Sequence, residues 1–276
     1  MRLFFAGTEP KKYRDILLRL GVQNGLESYW SLGQKTPPSQ NYWPGLYLLD
    51  SGGYSARVRG VEIDVKEYAD YLNKHQVKFA FNLDPPDNHK SLQNLYYLQE
   101  NTNTYIIPIF HGPEYMDPKW RPVLDYYVGN YPFISLGGIA GREVSQDTTK
   151  KFLNYVFKRT RDKVAVHGLG NTRKDLLQQY PFYSVDSTSW MQMMRFGSSK
   201  VLSKKMAQVK AKKTHYTKNI DADIAWWIQL EANITKLWLT RGVDWSDVSY
   251  EYCMKNRTLK RWEDEPEQSS KHSSTN

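Results

Sequence analysis

The 276-residue chain carries 38 Lys+Arg against 29 Asp+Glu, a formal charge of +9, which favours a polyanionic partner, nucleic acid ahead of an anionic membrane surface. Apolar residues at 40% can build one large domain or two small ones, and no apolar run approaches the roughly 18 residues of a membrane helix. The single cysteine, Cys253, excludes an internal disulfide and any multi-cysteine zinc site.

Met1-Arg2-Leu3-Phe4-Phe5-Ala6-Gly7 turns polar too soon for a signal peptide, so a cytoplasmic protein working without metal or cofactor is expected. Leu3 to Gly7 reads as a first strand. Glu9 to Leu20 reads as a helix with Tyr13, Ile16, Leu17 and Leu20 on one face. Residues 31–45, with Pro37, Pro38 and Pro44, read as a loop. Leu46-Tyr47-Leu48-Leu49 is then a buried strand that ends on Asp50-Ser51-Gly52-Gly53-Tyr54. A carboxylate at such a tip stands where a rigid scaffold meets a loop. Gly52 and Gly53 allow a sharp turn or close ligand approach, and Tyr54 offers an aromatic face. The same four residues, Asp-Ser-Gly-Gly, are also ordinary turn chemistry.

Val65 to His75 reads as a helix capped by Asp64. Phe79-Ala80-Phe81-Asn82-Leu83-Asp84 is a second strand ending on an acid, stopped by Pro85 and Pro86. After a helix from about Lys90 to Glu100 comes Tyr105 to His111-Gly112, in which Pro108 argues against a regular central strand. Residues 114–128 read as helical or looped. Phe133 to Ile139 is a strand carrying Gly137 and Gly138, Ser145 to Thr160 a helix, and Lys163 to Gly170 a strand carrying His167. Arg173 to Gln179 is a short helix, and Phe182 to Thr188 the last clear strand, carrying Asp186.

Strands alternating with helices predict parallel pairing and an α/β fold. Seven strands are clear and an eighth would lie near Lys200-Val201-Leu202, which predicts a (β/α)8 TIM-type barrel in a single domain over 1–262. Asp50, Asp84, His111, Gly137-Gly138, His167 and Asp186 then share the face of the barrel where active sites are built. One tip aspartate is usually a cap or turn former; this succession of polar and glycine tips points to a shared site. Each histidine also has a plainer reading as a hydrogen-bonded supporting residue. Farther on, Lys200, Lys204, Lys205, Lys210, Lys212, Lys213 and Lys218 crowd with His215 into a basic segment over 200–218. Charge runs are usually solvated faces, yet with the net charge this one suits contact with a nucleic-acid backbone. The helix over 220–239 carries Trp226, Trp227 and Trp238 as core rather than base-stacking residues, and 263–276 reads as a disordered tail.

Two carboxylates facing one pocket suit displacement at a sugar carbon, one attacking C1′ and the other moving a proton to and from the base. A third acid, Asp84, suits guanine N1–H and its exocyclic amine, backbone N–H groups near Gly137-Gly138 suit O6, and Tyr54 suits stacking.

Asp50-Ser51-Gly52-Gly53-Tyr54, Asp84-x-Pro86, Gly137-Gly138-Ile139-Ala140 and Asp186-Ser187-Thr188-Ser189-Trp190 occur in the order found in tRNA-guanine transglycosylases, and the chain resembles that superfamily over roughly residues 46–192. The resemblance implies a (β/α)8 barrel and exchange of guanine for a 7-deazaguanine, a queuosine-related pentosyltransferase reaction. It implies Asp186 as nucleophile and Asp50 as general acid/base. Asp84 and the Gly138-Ile139 backbone would read the base, with Ser51, Gly52 and Tyr54 lining its pocket. His111 stands where the family usually has Gln, and His167 where a pocket-wall residue such as Met packs on the base. The family's three-cysteine, one-histidine zinc cluster has no counterpart beside the lone Cys253. A zinc-free, basic member looks most like the phage-type DNA branch, which places 7-deazaguanines in DNA against restriction and would act in the host cytoplasm. The partners implied are DNA with a flipped-out or single-stranded guanine and a free 7-deazaguanine base, without a membrane. A tRNA substrate, a non-catalytic nucleic-acid-binding barrel and a small-glycoside enzyme are the alternatives. A homodimer or a partner protein is left open.

Overall fold

Short apolar runs buried on both faces pair side by side into one parallel sheet. The computed structural model describes residues 1–138, 145–160, 163–191, 213–245 and 248–262. Its strands are β1 (Arg2–Ala6), β2 (Gly25–Ser28), β3 (Tyr47–Asp50), β4 (Phe79–Phe81), β5 (Tyr105–Ile107), β6 (Ile109–His111), β7 (Phe133–Gly137), β8 (Ala165–Gly168) and β9 (Ser184–Ser187). They lie in the order β5-β4-β3-β2-β1-β9-β8-β7-β6, and every pairing is parallel. The end strands β5 and β6 are consecutive in the chain, divided only by Pro108, so the sheet curls into a nearly closed barrel of TIM type. Proline has no N–H to give to the ladder, which is why the run breaks there. Its carbonyl still accepts from Ser135 N at 2.8 Å, carrying the pairing toward β7 across the break.

Sequence pattern missed one strand. β2, Gly25-Leu26-Glu27-Ser28, lies in a stretch without an apolar run, because a buried acid occupies its outward face. Glu27 is 0% exposed and accepts from Ser39 N and Tyr47 Oη, each at 2.8 Å, with Arg14 3.7 Å from its other oxygen. Those partners come from three other segments. The stretch expected to be loop also holds a short helix, Tyr29–Leu32, that overlaps its start, and a 3-10 turn, Gln40–Tyr42. Lys200-Val201-Leu202, Ile139, Lys204, Lys205, Lys210, Lys212 and residues 263–276 lie outside the described residues, as do the side chains of Lys213, His215 and Lys218.

Alternation along each strand stacks the interior in layers. At the N-terminal end of the barrel, Phe79 meets Tyr105 at 5.8 Å and Phe133 at 6.2 Å, and Phe133 meets Tyr183 at 5.0 Å, all edge-on. One layer up, the rings of Phe4 and Phe81 flank His167 at 5.9 and 5.0 Å. Packed aromatics therefore close the lower barrel, and Asp50, His111 and Asp186 stand toward the strands' C-terminal ends.

The crossover helices cover the outside. Asp64 caps the helix Val65–Lys74, accepting from Lys66 N at 2.6 Å and Glu67 N at 3.2 Å. The long helix Lys213–Thr240 buries Ile224, Trp227, Leu230, Ile234 and Trp238 at helical spacing. Its Glu231 accepts from Leu3 N at 3.0 Å, and Trp238 Nε1 donates to Leu177 O at 2.8 Å. These tryptophans serve the core. Among the described residues no helix is long and apolar enough to cross a membrane.

Candidate active site

Asp50 ends β3 in register with Ser28 of β2. The chain then turns through Gly52, whose φ of +75° suits glycine, and Gly52 N donates back to Asp50 Oδ2 at 3.1 Å. A Cβ on Gly52 would sit 2.4 Å from both Ser28 Oγ and Trp30 Cβ, so the close approach made here is between two strand tips. Ser51 is buried and its Oγ accepts from Gly53 N at 3.3 Å, a turn-forming bond. Tyr54, in the helix Gly53–Val58, is 72% exposed, with the Arg57 guanidinium 5.6 Å from its ring centre.

Asp84 follows β4 on a loop tied to the helix Asn88–Asn101. Asn82 Nδ2 donates to Ser91 O at 2.9 Å and Asn94 Nδ2 to Leu83 O at 2.8 Å. Asp84 Oδ2 lies 2.7 Å from His111 Nε2, at the tip of β6. The His111 ring packs so closely over Gly137 that a Cβ there would stand 2.3 Å from two ring atoms, which explains the glycine. Gly138 follows with φ +74°. His111 N donates to Glu114, a buried acid three residues on. Burial pushes the Glu114 carboxyl up to about 7, against the charge and N–H of His111. Burial works against a charge on His111, but the hydrogen bond and charge of Asp84, with Glu114 behind them, raise the imidazole above its ordinary value.

Asp186 faces inward from β9. Its Oδ1 accepts from Gly170 N at 2.7 Å and lies 3.2 Å from His167 Nε2. The other ring nitrogen of His167 is 2.8 Å from Ser184 Oγ, and the histidine is 0% exposed. That burial corrects the expectation that His167 lines the pocket: it lies behind Asp186 with both nitrogens occupied. Asp186 Oδ2 accepts no hydrogen bond among the described residues.

Electrostatics bring these groups into one space. The Asp50 carboxyl is lifted to about 7, first by burial, then by the charges of Asp84 and Asp186, with Glu9 adding and Gly52 N–H opposing. Asp84 and Asp186 each lean on an imidazole, whereas Asp50 has one peptide N–H. Of the three carboxyls, Asp50 is the one that burial and its acid neighbours lift toward neutral pH. Pattern reading missed Glu9, Glu114 and Ser184. Glu114 had a signal, an acid three residues past a cap position. Ser184 had only its place two residues before Asp186 on the same strand face.

Among the described residues no three His, Cys, Asp or Glu side chains group as ligands for a metal ion. The polar groups at hand can donate and accept hydrogen bonds, and the Asp50 carboxyl, raised to about 7, can exchange a proton. No protein-family model matches the chain, and no curated protein matches it.

Proposed function

We propose that the chain exchanges guanine in DNA for a 7-deazaguanine through a covalent ester on Asp186. The observation that carries this reading is a buried Asp50 carboxyl raised by the charges of Asp84 and Asp186, each of which leans on a histidine. Asp186 has Oδ1 tied to Gly170 N and His167, its Oδ2 accepts no hydrogen bond among the described residues, and Asp50, raised to about 7, feels its charge. Asp186 Oδ2 attacks C1′ as the bond to guanine breaks, and Asp50 gives its proton to the departing base. The incoming base returns a proton to Asp50, its nitrogen bonds C1′, and the ester releases Asp186.

Asp84 keeps Oδ1 for the N1–H and exocyclic amine of the base while His111 holds Oδ2. The backbone at Gly137-Gly138 suits O6. We read β5 and β6 as halves of one strand interrupted at Pro108, which makes the barrel eight-stranded, (β/α)8. The net charge of +9 and the lone cysteine favour the zinc-free DNA branch over a tRNA enzyme. Because duplex DNA hides C1′ and the base edge, the target guanine is flipped out or single-stranded. The basic segment over 200–218 would hold the backbone.

Nucleoside mass spectrometry of DNA and tRNA from cells supplied with a 7-deazaguanine tests this reading. The modified nucleoside is expected in DNA only with the wild-type chain, and is lost with Asp186→Ala. Modification of tRNA alone would transfer the assignment to the tRNA branch; modification of neither would end it.

A further inference from the structure

We propose that His167 is a positioning residue for the nucleophile, locking Asp186 Oδ1 so that Oδ2 alone faces the sugar carbon. The chemistry of this role rests on the base-exchange reading; the geometry does not. Ser184 and Asp186 are two apart on β9, so both project into the barrel, and His167 of β8 stands in register with Ser184. The imidazole fits between them, with Nδ1 2.8 Å from Ser184 Oγ and Nε2 3.2 Å from Asp186 Oδ1.

A carboxylate can only accept, so Nε2 carries the proton. In the neutral ring Nδ1 is then the acceptor, and the Ser184 hydroxyl donates to it. The serine thus selects the tautomer that the aspartate needs. Gly170 N–H, two residues past β8, donates to the same Oδ1 at 2.7 Å. Turning the carboxylate would break both bonds at once. Phe4 and Phe81 pack against the imidazole, and its complete burial leaves no ring edge for a substrate to touch. His167 therefore acts through Asp186 and not on the base.

A misplaced nucleophile lowers the chemical step far more than binding. His167→Leu is expected to reduce kcat by about 10²-fold with KM unchanged. His167→Gln, whose carboxamide N–H can still reach Oδ1, should recover part of that loss. Exchange of labelled guanine into a single-stranded oligodeoxynucleotide measures both variants. Raised KM with intact kcat would put the ring against the base and overturn the proposal, as would equal losses in Leu and Gln. Should His167→Leu fail to fold, Ser184→Ala takes its place, with a smaller fall in kcat expected and no effect overturning the role.

The placement itself is tested without turnover, by NMR of the full wild-type chain labelled with ¹⁵N-histidine. Nε2 of His167 should carry a proton at neutral pH, and Ser184→Ala should shift the Nδ1 resonance. An unprotonated Nε2 overturns the proposal whether or not bases are exchanged. A folded wild type that exchanges no base refutes the transglycosylase reading instead, and the proton on His167 still decides the geometry.

Discussion

Asp50 is where fold stability and chemistry pull against each other. Its folded value is raised from 3.8 to about 7, so between those limits the folded chain holds a proton that the unfolded chain has lost. Stability tied to this group is complete below about pH 4 and is lost as pH rises through about 7. Asp50→Asn removes that penalty. Its melting temperature should exceed wild type at pH 8 and match it near pH 4, with a gain of a few kcal/mol at the alkaline end. Base exchange should vanish in the same variant. Thermal unfolding at both pH values, set beside the exchange rate, checks the pair of outcomes; equal melting shifts at both would mean that Asp50 is not a strained carboxyl.

The same residues explain what sequence pattern could and could not reveal. Asp50, Asp84 and Asp186 stood out because each terminates an apolar run, and a charge at that place is costly unless it is used. His167 also sits in such a run, but nothing in Val164-Ala165-Val166-His167 tells that its ring slots between two side chains of the neighbouring strand. That depth is set by the register of β8 on β9, a long-range quantity.

Elements with a strong local signal were read correctly: the capped helix Val65–Lys74, the strand ending on Asp50, and the break announced by Pro108. β2 escaped because its outward residue is a buried acid satisfied by Arg14, Ser39 and Tyr47, partners that only the fold assembles. The β2–β3 contact is also where one backbone position matters most. Gly52→Ala adds a Cβ that would stand 2.4 Å from Ser28 Oγ and Trp30 Cβ, at a φ of +75°. The substitution should cost about 1–3 kcal/mol and push Asp50 off its place. Urea unfolding reads the first effect and exchange kinetics the second. An alanine variant as stable and as active as wild type would show that the turn can yield.

Across the whole chain, a parallel sheet rolled into a near-ring gathers residues from β3, β4, β6, β8 and β9 at one end while aromatic layers seal the other. Alternation of strands and helices was enough to foresee this arrangement, because parallel neighbours need crossovers and the crossovers need covering helices. The basic segment over 200–218 enters the proposal as charge alone. With a formal charge of +9, affinity for single-stranded DNA should fall steeply with salt, logarithm against logarithm, and titration at several salt concentrations measures the slope. A flat response would argue that the basic residues do not meet phosphate.

The central claim is that Asp186 forms a bond to the sugar while Asp50 handles the proton. Its most direct measurement is mass spectrometry of the full chain quenched during reaction with a guanine-containing oligodeoxynucleotide, followed by peptide mapping. The account predicts a protein–DNA adduct that has lost guanine, mapped to Asp186 and missing from Asp186→Ala. Base exchange proceeding in the Asp186→Ala chain, or an adduct mapped to another residue, would contradict it.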